Sequence, residues 1–323
     1  MPGFGDAGRA RHPRFLRRRS GARAPVRHPG QGRLPPRREK GLAHAVGDFD
    51  GDRKLDLVIL QRNDAWLLAR DGQGRFRVRG LGMNLGRWVT YTCLAASDAD
   101  RDGGLDLILG AESYIVVPGV TRLFLNDGKG SFMDAASSNM PRDGNETSSL
   151  ALGDVDGDKD LDLVIGNGAS QGARRNRPHL GDGKGSFSDG TAGRLPALAE
   201  ATWSVALADV DGDLDLVVGN SSSYVDRLHL NDGKGVFTLS ATALPAGRER
   251  ILSLEAGDPD GDGDPDLFLG GGVLDRLYLK DGRGRFTSVQ RLGPSAGSSV
   301  GAGFADPSFE HAVCDLCRRQ IAP

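Results

Sequence analysis

Aspartate recurs along this chain at a spacing that suits a hard cation. Runs begin at Asp48, Asp98, Asp154, Asp209 and Asp258, and four of them place carboxylates at positions 1, 3, 5 and 9. These are Asp48, Asp50, Asp52 and Asp56; Asp98, Asp100, Asp102 and Asp106; Asp154, Asp156, Asp158 and Asp162; and Asp258, Asp260, Asp262 and Asp266. Carboxylates that alternate along a tightly wound segment can converge on one point, where they repel unless a cation lies between them. Calcium (Ca2+) accepts six to eight oxygens at about 2.3–2.6 Å, whereas magnesium keeps waters and a strict octahedron. A carbonyl at position 7 and a water would complete the shell. An EF-hand loop is the competing reading. Its twelfth position should be Glu, but here it is Ile59, Leu109, Ile165 or Leu269, and the flanks read as strands. Solvated Asp-Gly turns are the plain alternative, and five runs at one period weigh against it.

The fourth run departs from the rest. It reads Asp209-Val-Asp211-Gly-Asp213-Leu-Asp215, two residues short, so Asp215 meets the following strand at position 7. A one-residue slip would turn the buried face of that strand outward, so the strand is expected to keep its register and the loop to tighten. Burying Leu216, Val217 and Val218 is worth about 1.5–3 kcal/mol each. Asp209, Asp211 and Asp213 are therefore expected to be the weakest calcium site. The second run carries Arg101 where the others have Gly.

The elements that must hold these loops repeat with them. The first aspartates are 50, 56, 55 and 49 residues apart. Each run leads into an apolar strand such as Leu161–Gly166, and downstream comes a second signature ending at Phe76, Phe132, Phe187, Phe237 or Phe286. Self-similarity at this period means a solenoid, a propeller or an array of small units. One unit reads as four strands. The first is a short stretch such as Ser149–Gly153 or Trp203–Ala208. The second is apolar on both faces and suits a strand covered on both sides. The third is Arg122–Asn126. Asp127–Gly130 then supplies a tight hairpin turn, and Phe132 opens the fourth strand. The fold expected is all-β, a β-propeller of four-stranded blades with five complete repeats. Pro29–Leu34 parallels the Asp71–Phe76 hairpin, and Gly301–Asp306 resembles a first strand, so a sixth composite blade is one expectation and a fragment of a larger ring the other.

Composition agrees. Among 323 residues there are 48 Gly and only 6% aromatics, which disfavours helices. Residues 1–40 hold twelve bases against two acids, and the remainder is acidic enough to bring the chain to −2. The expected organisation is an Arg-rich head (1–40), the repeats (41–292), and the start of a degenerate further repeat with a tail (293–323). With so few aromatics to stack on bases, nucleic acid is not an expected partner. No apolar run is long enough for a transmembrane helix, no secretory signal is visible, and three Cys cannot build a disulfide framework.

The Asp-x-Asp-Gly-Asp-x-x-x-Asp loop running into Leu-Asp-Leu-Val-Ile-Gly resembles the FG-GAP repeat of integrin α-subunit propellers. With Asn-Asp-Gly-Lys-Gly-x-Phe added it is closer to the bacterial VCBS form, and the likeness spans Gly41 to about Phe286. The resemblance implies calcium at the aspartates named above, an extracellular or cell-surface setting, and a non-catalytic role in adhesion or in binding a protein or glycan ligand. The integrin Phe-Gly and Gly-Ala-Pro signatures are mostly absent here, so no integrin-like ligand is inferred. Two alternatives stay open: an accessory propeller or fragment of a secreted polysaccharide-active enzyme, and an enzyme using surplus carboxylates such as Asp160 or Asp264. Gly168–Gly172 matches a nucleophile elbow without its strand–turn–helix context. Cys314 and Cys317 lack a second pair for a zinc site. His12, His28, His44, His179, His229 and His311 show no ligand spacing, and His179 and His229 share one strand position of the repeat. Asn145 and Asn220 begin glycosylation sequons.

Overall fold

The computed structural model describes residues 43–294, apart from 62–63, 86–88, 114–120, 143–145, 169–172, 222, 242–243, 246–249, 260, 272–273 and 282–284. The segments expected to form a composite sixth blade, 29–34 and 301–310, lie outside the described residues. Among the described residues, alternating apolar and turn-forming segments build five antiparallel four-stranded sheets, each in chain order. The first comprises β1 (Ala43–Gly47), β2 (Asp56–Leu60), β3 (Ala65–Arg70) and β4 (Phe76–Gly80). The second comprises β5 (Val89–Ser97), β6 (Asp106–Ser113), β7 (Arg122–Asn126) and β8 (Phe132–Asp134). In the third, β9 (Thr147–Gly153) and β10 (Asp162–Asn167) open the sheet; a short β11 (Arg174–Arg175) lies outside it, and β12 (Arg177–Gly181) and β13 (Phe187–Asp189) complete it. After β14 (Ala199–Glu200), which pairs with β11, the fourth sheet comprises β15 (Thr202–Asp209), β16 (Leu214–Asn220), β17 (Arg227–Asn231) and β18 (Phe237–Leu239). The fifth comprises β19 (Ile251–Gly257), β20 (Asp266–Gly271), β21 (Leu274–Lys280) and β22 (Phe286–Pro294). This is the all-β propeller architecture expected from the repeats.

The core lies between sheets rather than within one layer. Val58 and Leu60 of β2 meet Leu107 and Leu109 of β6, while Ile108 turns the other way, to Leu163 and Ile165 of β10. Val164 faces Leu216 and Val218 of β16, and Val217 faces Leu267 and Leu269 of β20. Period-2 alternation thus supplies both neighbours, which is why these strands are apolar on both faces. First strands pack in series, β1 on β5, β5 on β9, β9 on β15 and β15 on β19, and no packing of that extent returns from β19 to β1 among the described residues. Consistently, Val46 and Leu55 of the first unit are 58% and 61% exposed, whereas Leu152 and Leu207, which match Val46, are buried and Leu105, Leu161 and Leu214, which match Leu55, are half-buried.

The Asn-Asp-Gly-Lys-Gly turn does more than reverse the chain. Asn126 is buried; its Nδ2 donates to the carbonyls of Phe49, in the preceding unit's loop, and Leu105, both at 3.1 Å. Asn231 repeats this on Val155 and Leu214, at 2.7 and 3.1 Å. The turns of the second and fourth units therefore sit against the acidic loops of the units before them. A Cβ on Gly51 would fall 2.6 Å from the Gly128 carbonyl oxygen, so only glycine allows this approach. Asn126→Ala leaves the buried Phe49 and part-buried Leu105 carbonyls without this donor and the Gly130 N–H without its acceptor. A loss of about 1–3 kcal/mol is expected in urea denaturation, and an unchanged midpoint would show that the clasp contributes nothing.

Candidate metal centre

Each intact loop is wound by two residues in the left-handed region, at positions 4 and 6. These are Gly51 and Arg53 (φ 77° and 64°), Arg101 and Gly103 (61° and 92°), Gly157 and Lys159 (79° and 72°), and Gly261 and Gly263 (78° and 89°). The position-1 carboxylate holds the turn by accepting backbone N–H groups. Asp48 takes those of Gly51 at 2.8 Å and Arg53 at 2.6 Å, and Asp154 takes those of Gly157 at 2.8 Å and Lys159 at 3.0 Å. Arg101 adopts the position normally given to Gly while its guanidinium reaches Asp160 of the next loop at 2.6 Å.

The position-9 aspartate anchors the loop in the sheet. Asp106 accepts the Ala99 N–H at 2.9 Å and the Asn126 N–H at 2.8 Å, one on each oxygen. Asp162 does the same with Val155 and Gly181, and Asp56 with Phe49 and Arg70. These side chains are buried, at 0–1% exposure. Burial outweighs the N–H bonds and pushes Asp106 up to about 7 and Asp162 up to about 6; Asp56 is raised for the same reason. Burial also raises Asp100 and Asp156.

Among the described residues, positions 1, 3 and 9 come together in three loops. Asp48, Asp50 and Asp56 offer oxygens within 4.8 Å of one another, as do Asp98, Asp100 and Asp106, and Asp154, Asp156 and Asp162. Each group contains a buried carboxylate oxygen without a hydrogen-bond partner: Asp50 Oδ1, Asp98 Oδ1 and Asp156 Oδ1. An uncompensated buried acceptor is costly, and three carboxylates at one point compound that cost with repulsion. A hard cation relieves both, so the donor set fits calcium. Position 5 stands outside these groups: Asp52 pairs with Lys54, Asp102 accepts the Gly104 N–H at 2.7 Å, and Asp158 accepts the Asp160 N–H at 2.8 Å. In the fifth loop Asp258 holds the Gly261 and Gly263 N–H groups, Asp262 accepts the Asp264 N–H and Asp266 is buried, while Asp260 lies outside the described residues.

The short fourth loop keeps the sheet and gives up the cage. Asp215 pairs with Ala208 as Asp162 pairs with Gly153, and Leu216, Val217 and Val218 are fully buried. Asp215 accepts the Val210 and Asn231 N–H groups at 3.0 and 2.7 Å, the position-9 role; the aspartate spacing alone did not assign it that role. The fourth loop has a single left-handed residue, Gly212, and its Asp209, Asp211 and Asp213 form no such group among the described residues. Asp156→Ala is expected to release about one calcium per chain and Asp211→Ala none. Equal losses by calorimetry would show that the short loop still closes.

The other candidates find plainer places. Asp160 and Asp264 are ion-paired, to Arg101 and Lys280. His179 and His229 are buried at one position of the third strand, and His44 is exposed on β1. Asn220 is fully buried, with its side chain bonded to Thr202 and Val225. Residues 169–172, Asn145, His12, His28, His311, Cys314 and Cys317 lie outside the described residues.

Comparison with known proteins matches this architecture. The FG-GAP-like repeat model matches residues 48–109, 110–165 and 211–269, more than half of the chain. Integrin alpha-PS2 of Drosophila melanogaster is 36% identical over 78 residues, 23% of this chain and 6% of that protein. Among solved structures, an Agrocybe aegerita lectin described as recognising non-reducing terminal N-acetylglucosamine superposes with TM-score 0.54 at 19% identity. It covers 79% of this chain and 68% of its own. The Dos1 propeller reaches TM-score 0.49 at 13% identity, over 84% of this chain and 65% of its own. With its acidic loops, four-stranded sheets and matched repeats, the chain belongs to the FG-GAP-like repeat family.

Proposed function

We propose that the chain is a calcium-loaded, non-catalytic module that binds a protein or glycan outside the cell or at its surface. The observation that carries the calcium reading is the set of three carboxylate groups, each with a buried oxygen lacking a partner. Asp48, Asp50 and Asp56 and their counterparts in the second and third loops would hold the ions. Bound calcium would neutralise the converging charges and tie each loop to the sheet behind it. The binding role is supported by the relatives: an integrin chain and a lectin share the repeat or the fold. No helix among the described residues is long and apolar enough to cross a membrane.

Arrays of extracellular-matrix proteins and glycans, read with calcium and with chelator, test this reading. Calcium-dependent capture is expected. Turnover of a polysaccharide, abolished by changing a carboxylate outside the loops, would overturn it in favour of an enzyme.

A further inference from the structure

Between the fourth and fifth sheets lies a cavity of about 470 Å³, within the range of small-ligand sites. It exists because the repeat changes at three places that meet there. The fourth loop is two residues short. Pro265 stands where Leu105 and Leu214 cover the glycines of the preceding units, each in contact distance of Gly47 or Gly153. Lys280 stands where Asn126 and Asn231 clasp the preceding loop. Its side chain is only 7% exposed, and its Nζ reaches Asp264 Oδ1 at 3.1 Å and the Asp209 carbonyl at 3.3 Å. Leu207, Leu214, Ala256 and Pro265 make apolar walls, and Asp209 and Asp258 join the Lys280–Asp264 pair at the polar side.

We propose that this cavity binds a primary ammonium or guanidinium group carried on an aliphatic stem, such as a lysine or arginine side chain presented by a protein partner. Three carboxylates face one ammonium, so the cavity carries surplus negative charge and disfavours anions. Lys280 balances Asp264. Asp258 gives its oxygens to the loop N–H groups of Gly261, Asp262 and Gly263. Asp209 gives only Oδ1, to Gly212 at 2.7 Å, and its Oδ2 has no partner among the described residues. A cation in the fifth loop would neutralise Asp258 and leave Asp209 in excess. The incoming charged head meets Asp209 while its methylenes lie along the leucine and proline walls, the division that long basic side chains favour.

The site rests on the reading of the chain as a binding module. Calcium-loaded full-length protein is titrated with Nα-acetyl-lysine methylamide and Nα-acetyl-arginine methylamide, against the uncharged norleucine analogue and acetate, by calorimetry and NMR. The basic probes are expected to bind, with affinity reduced about tenfold or more in Asp209→Asn, which removes the charge but keeps an oxygen to accept the Gly212 N–H. Ala256→Leu, which fills the cavity, should abolish binding without lowering the melting temperature. Equal binding of the norleucine analogue, preference for acetate, or basic-probe binding unchanged in both variants overturns the site. A partner found on arrays that binds Asp209→Asn and Ala256→Leu as it binds wild type also overturns it, while leaving the module's binding role intact.

Discussion

A His179→Phe/His229→Phe variant is expected to match the wild type near about pH 7.5 and to be much the more stable near about pH 4.5. Both imidazoles are buried, at 0% and 3% exposure, on the middle of the third strand. Burial holds each well below its usual value, down to about 4. The fold therefore accepts them neutral, while the unfolded chain protonates them near the ordinary value of about 6.5. With the folded value depressed, the stability is complete above about 6.5 and is lost as pH falls toward 4. Two to three pH units per imidazole correspond to about 3 kcal/mol each, a large part of a typical folding free energy of about 5–15 kcal/mol. Phenylalanine is the natural replacement, since Phe124 and Tyr278 fill the same position in sister units. Chemical denaturation across this range measures the gap. Parallel pH profiles for wild type and variant would show that the imidazoles titrate as if exposed.

Removal of calcium should have a comparable effect. A cation bound only by the folded loops stabilises by mass action, about 1.4 kcal/mol per site at tenfold excess over its dissociation constant. Three sites correspond to roughly ten degrees of melting temperature for a domain of this size. The gap between calcium and chelator should widen as pH rises. Without the ion, Asp106 and Asp162 have folded values raised to about 7 and about 6. Their contribution is favourable while they are protonated and is lost as pH climbs through those values; calcium binds the ionised form and restores it. Thermal scans from about pH 5.5 to 8 with and without chelator test both points, and a gap independent of pH would contradict the assignment of position 9.

Much of this was legible in the sequence because the information is local and repeated. The strand Arg122–Asn126, the turn at Asp127 and the opening of the next strand at Phe132 follow from alternation and turn chemistry within a few residues. The shortened fourth loop also yielded to local logic, since the register of Leu216–Val218 outweighs a loop carboxylate. First strands ran longer than their apolar stretch: β9 begins at Thr147 rather than Ser149, because Thr147 and Ser148 are buried by hydrogen bonds to neighbouring strands. The interblade clasp was invisible for a physical reason. Asn126 bonds a carbonyl 77 residues earlier, and nothing in its own segment marks that partner. Likewise, position 5 matches the carboxylate spacing as well as position 3 does, and only the winding of the loop separates them.

The most direct measurement is the number of calcium ions bound per chain, by equilibrium dialysis, in wild type and in a variant carrying Asp50→Ala, Asp100→Ala and Asp156→Ala together. These residues sit at the groups where three carboxylates meet, so the variant should bind three ions fewer than wild type while keeping its strand content by circular dichroism. The same number bound in both proteins would contradict the assignment of calcium to these loops.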